Sequence, residues 1–458
     1  MSAEFAMAGP AERSDSRSRL VIHTEPNPDR IPELMVLSER DRADLRILAR
    51  IFPFRVSQYV IDELIDWSAA PDDPMYRLVF PCRESIGHDA FERVARAIST
   101  GAPASELREL LRSVRSELNP HPADQLSLNR PIFEGEQISG LQHKYPETVL
   151  FFPSDGQSCH SYCTFCFRWA QFVREDDWRM AMNDRERLTR YLAFHSEVSD
   201  LLITGGDAFT LKARRLRFFL EPIVELPSLE HVTNIRFGTK ALSFWPHRFV
   251  DDGDSEELLQ MIAWLVARGK HVSIMAHFNH WMELETPVVA LAIARLQKAG
   301  AVVRTQGPIL RAINDDAATW ARLWKRQTEL GLVPYYMFVA RNTGAVKHFA
   351  VALDRAWHIF AEAARQVSGI ARTVRGPSMS DSAGKIEILG VDKVAGQKVF
   401  VMRMLQARDP KLAYQPFFAV HDDRATWIDT LKPAFAEAFP FDEARQGKPE
   451  SACEISTR

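Results

Sequence analysis

The chain has no long apolar run. Nothing in its 458 residues approaches the roughly 18 consecutive apolar positions that a membrane-spanning helix needs. The N-terminal stretch MSAEFAMAGPAERSDSRSRL is polar and lacks the apolar segment of a secretory signal. Surplus charge is also missing: 57 Lys and Arg stand against 60 Asp and Glu, scattered rather than blocked, which leaves no surface suited to nucleic acid or an anionic membrane. Cysteine is scarce, and the five present are an odd number, which argues against a disulfide framework. These absences lead to the expectation of a soluble, cytoplasmic protein with a small-molecule partner.

What is present is concentrated. Cys159, Cys163 and Cys166 form a C-x3-C-x2-C pattern in CHSYCTFC, directly behind the apolar run ETVLFFPSD. Cys82 and Cys453 lie far away in sequence, and Cys453 falls in a polar tail. Three thiols in one short loop point to a soft metal or a cluster. Three thiolates cannot close a tetrahedral zinc site alone, whereas an iron-sulfur cube held by three cysteines leaves one iron open. Zinc completed by His160 or His277, and plain unliganded cysteines, are the alternatives.

Residues 1–30 read as disordered and 31–140 as a helical N-terminal region. Its helices are expected within LRILARIFPFRVSQYVIDELIDW, HDAFERVARAIS and ELRELLRSVRSEL, closed by Pro120 and Pro122. From 141 to 375 short apolar runs alternate with amphipathic helices. ETVLFFP, DLLIT, VTNIRFG, HVSIMAHF, AVVRTQGPIL and LVPYYMFVA are strands, each followed by a helix. Asp254 before Glu257 and Thr286 before Pro287 mark helix starts, and Gly269 and Gly300 mark helix ends. Six strand-helix units imply an α/β partial (βα)6 barrel, with chemistry at the strands' C-terminal ends. Residues 376–445 read as a small α+β C-terminal cap with a last helix in RATWIDTLKPAFAEAF, and 446–458 as a polar tail.

C-x3-C-x2-C in the first strand-helix loop of a partial barrel resembles the radical S-adenosylmethionine (SAM) enzymes. Within them the chain is most similar to the lysine 2,3-aminomutase family. FPFRVSQYVIDELIDW, DDPMYRLVFP, GLQHKYPETVL, LLITGGDAF, IRFGTKAL, AHFNH, GPILRAIND, VPYYMFVA and KHF carry the likeness in order. The resemblance implies a [4Fe-4S] cluster on Cys159, Cys163 and Cys166, together with SAM and pyridoxal 5′-phosphate (PLP). It also implies a 5′-deoxyadenosyl radical that moves an α-amino group to the β-carbon, an electron donor such as flavodoxin or ferredoxin, and a homo-oligomer.

Site residues follow by matching positions. Gly205, Gly206 and Asp207 end an apolar strand, where the glycines admit a ligand and the carboxylate can accept from the SAM ammonium; a tight turn with a capping aspartate is the plain alternative. Lys385 in SAGK matches the lysine that carries PLP, although the loop PSMSDSAGK is longer and poorer in glycine than the family's, and a surface lysine is the alternative. Lys144 and Tyr145 match a basic and aromatic pair near the cofactor ring. Arg168 matches the arginine that grips the substrate carboxylate, a task suited to a planar fork.

Of the two aspartates that hold the distal ammonium of lysine, Asp315 matches the first, and the second falls at Arg375. A guanidinium there repels a lysine side chain, so a neutral or acidic substrate is expected, with Asp315 paired to Arg375. Asp381 in the longer loop is the residue that could restore a lysine site. Tyr335, Tyr336 and the histidines of AHFNH lie at strand ends and read as buried strand residues. The leading reading is a PLP-dependent radical aminomutase. A radical SAM enzyme that abstracts hydrogen without PLP and a noncatalytic metal-binding protein are the alternatives.

Overall fold

The computed structural model describes residues 20–119, 127–173 and 178–446. All of the expected tail 446–458 but its first residue, with Cys453, lies outside them, as do the first 19 residues, Pro120 and Pro122. Ordered structure begins earlier than expected: Ile22–His23 pair with Val56–Ser57, and a 3-10 turn follows at Pro32–Val36.

Among its described residues the N-terminal region holds three helices of two turns or more, α1 (Glu39–Ile51), α2 (His88–Ser99) and α3 (Ala104–Leu118). The Ser38 side chain accepts from the Asp41 amide and starts α1. The apolar period runs on past Ile51, but Pro53 stops the helix, so the expected long element ends there.

One eleven-stranded sheet organises the rest, with strand order following the chain. Its strands are β1 (Leu141–Tyr145), β2 (Thr148–Phe151), β3 (Asp200–Ile203), β4 (Asn234–Thr239), β5 (His271–His277) and β6 (Val302–Ile309). They continue with β7 (Val333–Val339), β8 (Arg375–Ser380), β9 (Gly384–Val394), β10 (Gln397–Ala407) and β11 (Pro416–Val420). Strands β2 to β8 are parallel, while β1 at one end and β9 to β11 at the other are antiparallel. Helices α4 (Arg185–Phe194), α5 (Ala213–Glu225), α6 (Ser255–Ala267), α7 (Pro287–Lys298), α8 (Ala317–Glu329) and α9 (Leu353–Arg365) follow β2 to β7. The six expected units are present. On β4 the fully buried residues Ile235 and Phe237 join the helices in one core. Asn234, Arg236 and Gly238 alternate with them and face the inside.

Five local expectations change. β8, built from Arg-Gly-Pro-Ser-Met-Ser, is a seventh parallel strand whose composition hides it. β1 is equally hidden in LQHKY. No helix forms over residues 424–439, where the chain makes turns and one 3-10 turn at Ile428–Thr430, because its apolar residues Trp427, Ile428 and Leu431 pack on the terminal β-meander. The meander prolongs the barrel sheet, so the 375/376 boundary falls inside β8. Asp254 does sit at the start of α6 but does not cap it; its carboxylate accepts from the Ala213 amide at 2.7 Å and caps α5 instead. Gly269 and Gly300 end their helices at φ of 81° and 92°.

The sheet curls far enough for its first and eighth strands to meet through a side chain. Lys144 on β1 donates to the carbonyls of Asp381 and Gly384 in the β8–β9 turn. Arg408 Nη2 donates to Asn129 Oδ1 across the same seam at 2.7 Å.

Candidate functional site

The cysteine loop leaves the C-terminal end of β2 and is held from two sides. From the N-terminal region, Arg55 donates to the Cys159 carbonyl at 2.9 Å and its own carbonyl accepts from the Tyr162 amide at 2.8 Å. The Thr164 amide donates to the Leu78 carbonyl at 2.9 Å, and Ser57 N donates to Ser161 Oγ at 2.9 Å. Cys159, Cys163 and Cys166 are free thiols, and burial raises the pKa of each in the bare protein. A bound metal reverses that preference by favouring the thiolate.

The Gly-Gly-Asp turn after β3 supplies the second grip, and this corrects its expected role. The glycines admit the cysteine loop: a Cβ on Gly205 would overlap the Gln157 side chain, and one on Gly206 would overlap the Ser158 backbone. Gly206 N donates to the Gly156 carbonyl at 3.1 Å and Asp207 N to the Ser158 carbonyl at 2.9 Å. The buried Asp207 carboxylate accepts from His160 Nε2 at 3.1 Å, the Lys240 amide at 2.7 Å, the Phe209 amide at 3.0 Å and Thr239 Oγ1 at 2.8 Å. Although burial alone would raise it, the His160 contact and these donors hold the Asp207 pKa below the ordinary value. With those donors in place the carboxylate ties the loop down, and the capping alternative describes it better than an ammonium acceptor.

His160 is thereby turned toward Asp207, and His277 stacks on Phe165 at 5.7 Å with burial driving its pKa down to about 3. Among the described residues no three His, Cys, Asp or Glu side chains converge on one ion. A zinc site completed by either histidine has no ready-made geometry here, while three free thiols on one pinned loop suit a cluster that spreads its ligands over several irons.

At the far end of the curled sheet Lys385 is the second residue of β9. Its ammonium lies 4.1 Å from the Tyr336 ring centroid and 3.3 Å from Gln406 Oε1. Burial, reinforced by the cations Arg236, Arg375 and Arg341, lowers its pKa to about 7. Lys385 is therefore no surface lysine. Lys144 and Tyr145 share this environment: Lys144 is pushed well below its ordinary pKa by burial, and Tyr145 is raised by it. A readily deprotonated amine on an aromatic face, among cations with few counterions, fits an aldehyde cofactor that carries a phosphate.

Arg168 packs over Phe152 and Phe167 and donates through Nη1 to Thr204 Oγ1 at 3.0 Å and weakly to the Gly205 carbonyl at 3.5 Å. Its buried Nε has no acceptor among the described residues, so part of the fork is free. Arg375 stacks on Tyr335 at 4.2 Å and Tyr336 at 4.4 Å, beside Lys385. The expected Asp315–Arg375 pair does not form. The Asp315 carboxylate accepts from the Ala312 amide of its own turn at 2.9 Å, because Ala312 takes a positive φ of 64° that the carboxylate braces. Asp381 does not take the vacated role either: Arg445 holds its carboxylate at 2.6 Å through Nη2 and 3.1 Å through Nε.

Two participants escaped the sequence reading. Arg445 lies 64 residues from Asp381, at the last position of the expected cap, where nothing in the sequence points to a partner. Arg341 directly follows the VPYYMFVA strand, and its place at a strand's C-terminal end was the one available signal.

Comparison with known proteins agrees with this geometry. No family model matches the chain. A putative L-lysine 2,3-aminomutase of Aquifex aeolicus is 31% identical over 402 residues, covering 88% of this chain and 93% of that protein. The L-lysine 2,3-aminomutase of Escherichia coli is 24% identical over 75% of this chain and 85% of its own length. The glutamate 2,3-aminomutase of Clostridioides difficile is 27% identical over 60% of this chain and 62% of its own length. With three thiols on the first strand-helix loop, the Gly-Gly-Asp clamp and a match spanning nearly a whole relative, the chain belongs to the lysine 2,3-aminomutase family of radical SAM enzymes.

Proposed function

We propose that the protein is a PLP-dependent 2,3-aminomutase acting on an α-amino acid other than lysine. The observation that carries this reading is Lys385, an amine of lowered pKa on the Tyr336 face, with the arginines Arg236, Arg375 and Arg341 acting on it. When bound, a [4Fe-4S] cluster on Cys159, Cys163 and Cys166 with SAM supplies a 5′-deoxyadenosyl radical, and PLP supplies a conjugated carrier for the migrating nitrogen. Lys385, with its lowered pKa, offers a neutral amine near pH 7 for cofactor attachment. Lys144 fixes the turn that presents it. The free part of the Arg168 fork orients an α-carboxylate near the thiols, and the N-terminal region packed over the cysteine loop keeps water from the radical's path.

Lysine is disfavoured on charge. Asp381 is neutralised by Arg445, Asp315 directs one carboxylate oxygen into its own turn, and Arg375 would face the ammonium. Like charges within about 4 to 6 Å in a partly dry site repel strongly. The reading includes an electron donor of the flavodoxin or ferredoxin kind and a homo-oligomeric state.

Anaerobic reconstitution tests it: iron and sulfide content, the PLP absorption band with and without Lys385→Ala, then deoxyadenosine and β-amino acid formation over a panel of amino acids. A PLP band lost in the variant supports the proposal. Deoxyadenosine without any PLP band would select a radical enzyme that dispenses with PLP. Lysine turned over faster than glutamate or neutral amino acids would sink the charge argument.

A further inference from the structure

Arg341 sits just past the C-terminal end of β7, its guanidinium carbon 4.5 Å from the centroid of Phe167, a neighbour of Cys166. Its Nη1 is sealed from solvent and has no acceptor among the described residues. Burial pulls its pKa down to about 10, and its charge is felt at Lys144, Lys385 and Arg168. It therefore stands between the thiol end of the site and the lysine end. Arg375, also beside Lys385, rests on two tyrosine rings and has no carboxylate partner among the described residues.

A desolvated guanidinium without an acceptor is costly, and such a group persists where a ligand completes it. PLP brings one phosphate, and the amino acid brings an α-carboxylate for Arg168. Even if the phosphate occupies one of Arg341 and Arg375, a substrate with a neutral side chain leaves the other bare. Of the acidic side chains near Lys385 in sequence, Asp381 is consumed by Arg445 and Glu387 by Arg403.

Resting on the aminomutase reading above, we propose that Arg341 binds the side-chain carboxylate of the substrate, which is a dicarboxylic α-amino acid. A planar fork suits a carboxylate, and its position between the two cofactor ends is where the distal part of a substrate held by Arg168 and Lys385 must lie.

The test is equilibrium binding to the holoenzyme loaded with cluster and PLP but without SAM, so that nothing turns over. Glutamate should bind about tenfold or more tightly than its neutral isostere glutamine, because one charge-assisted contact distinguishes them. Aspartate and 2-aminoadipate should each beat their amides, and lysine should bind weakest. Arg341→Gln should abolish the acid preference while PLP content is unchanged, and Arg341→Lys should keep part of it. If Arg341→Gln misfolds by circular dichroism, the lysine variant decides: full preference or none overturns the proposal.

Equal affinity for glutamate and glutamine in the parent enzyme overturns it, as does an unchanged preference in Arg341→Gln. Loss of PLP from that variant with the preference intact would assign Arg341 to the cofactor phosphate instead. A parent protein that takes up no PLP defeats the aminomutase reading itself, which separates that failure from this one.

Discussion

Lys144 donates to the carbonyl of Gly384 at 3.0 Å, so a side chain from the first strand of the sheet fixes the residue that immediately precedes Lys385. The same ammonium reaches the Asp381 carbonyl. Replacing it with Met leaves two carbonyls without this donor and unties the seam. Lys144→Met should lower stability by about 1 to 3 kcal/mol and reduce PLP occupancy while iron content is retained, as read by thermal melting, PLP absorbance and iron analysis. Iron lost in step with PLP would show that the two ends of the site are not separable in this way.

Lys385 carries a pH signature. With its pKa lowered to about 7 in the fold against an ordinary value near 10.5, borohydride trapping of PLP at this residue should rise through pH 7 and level off well below pH 10. Between those two values the unfolded chain binds more protons at this lysine than the folded protein does. This group's contribution to stability therefore rises with pH across that window, and its full burial cost is felt below pH 7. Lys385→Met should remove both dependences. A trapping curve that keeps climbing to pH 10 would contradict the buried environment.

Asp207 should govern cluster loading. Asp207→Asn removes a buried charge that accepts from His160, Thr239 and two amides. Breaking such an array costs about 3 to 5 kcal/mol. Expected are a lower melting temperature and reduced iron per chain after reconstitution. Normal iron with normal melting would return Asp207 to the role of a ligand contact.

Gly206 tests the same clamp by shape. In Gly206→Ala the added methyl would overlap the Ser158 carbonyl and lie 2.6 Å from the Ser158 nitrogen, all of it backbone. Since backbone cannot swing aside, the loop must move, and iron content should fall sharply. Gly253→Ala, where nothing lies within 4 Å, is the matched control and should melt and load iron like the parent.

What could be read in the sequence was whatever depends on spacing along the chain. Six strand-helix units and the thiol loop announce themselves through period and proximity. Partners that meet only in the fold were hidden. Asp381 reads as a free carboxylate until Arg445 is seen on it. Asp315 matches a motif position while its side chain braces a left-handed Ala312. Strand β8, with Gly376 and Pro377, has the composition of a loop and becomes a strand because β7 and β9 pair with it on both sides. The false helix over 424–439 is the converse, an apolar period satisfied by packing on a β-meander.

The clamp on the cysteine loop also sets an order of assembly. Every partner of Asp207 lies at or before Lys240, so this half of the grip is encoded well before Arg341 and Lys385 are synthesised. Arg341, Lys385 and the β8–β9 turn come more than a hundred residues later than Lys240. On the proposed function, the thiols are thus arranged before Lys385 has been made, so metal loading can precede cofactor attachment during synthesis.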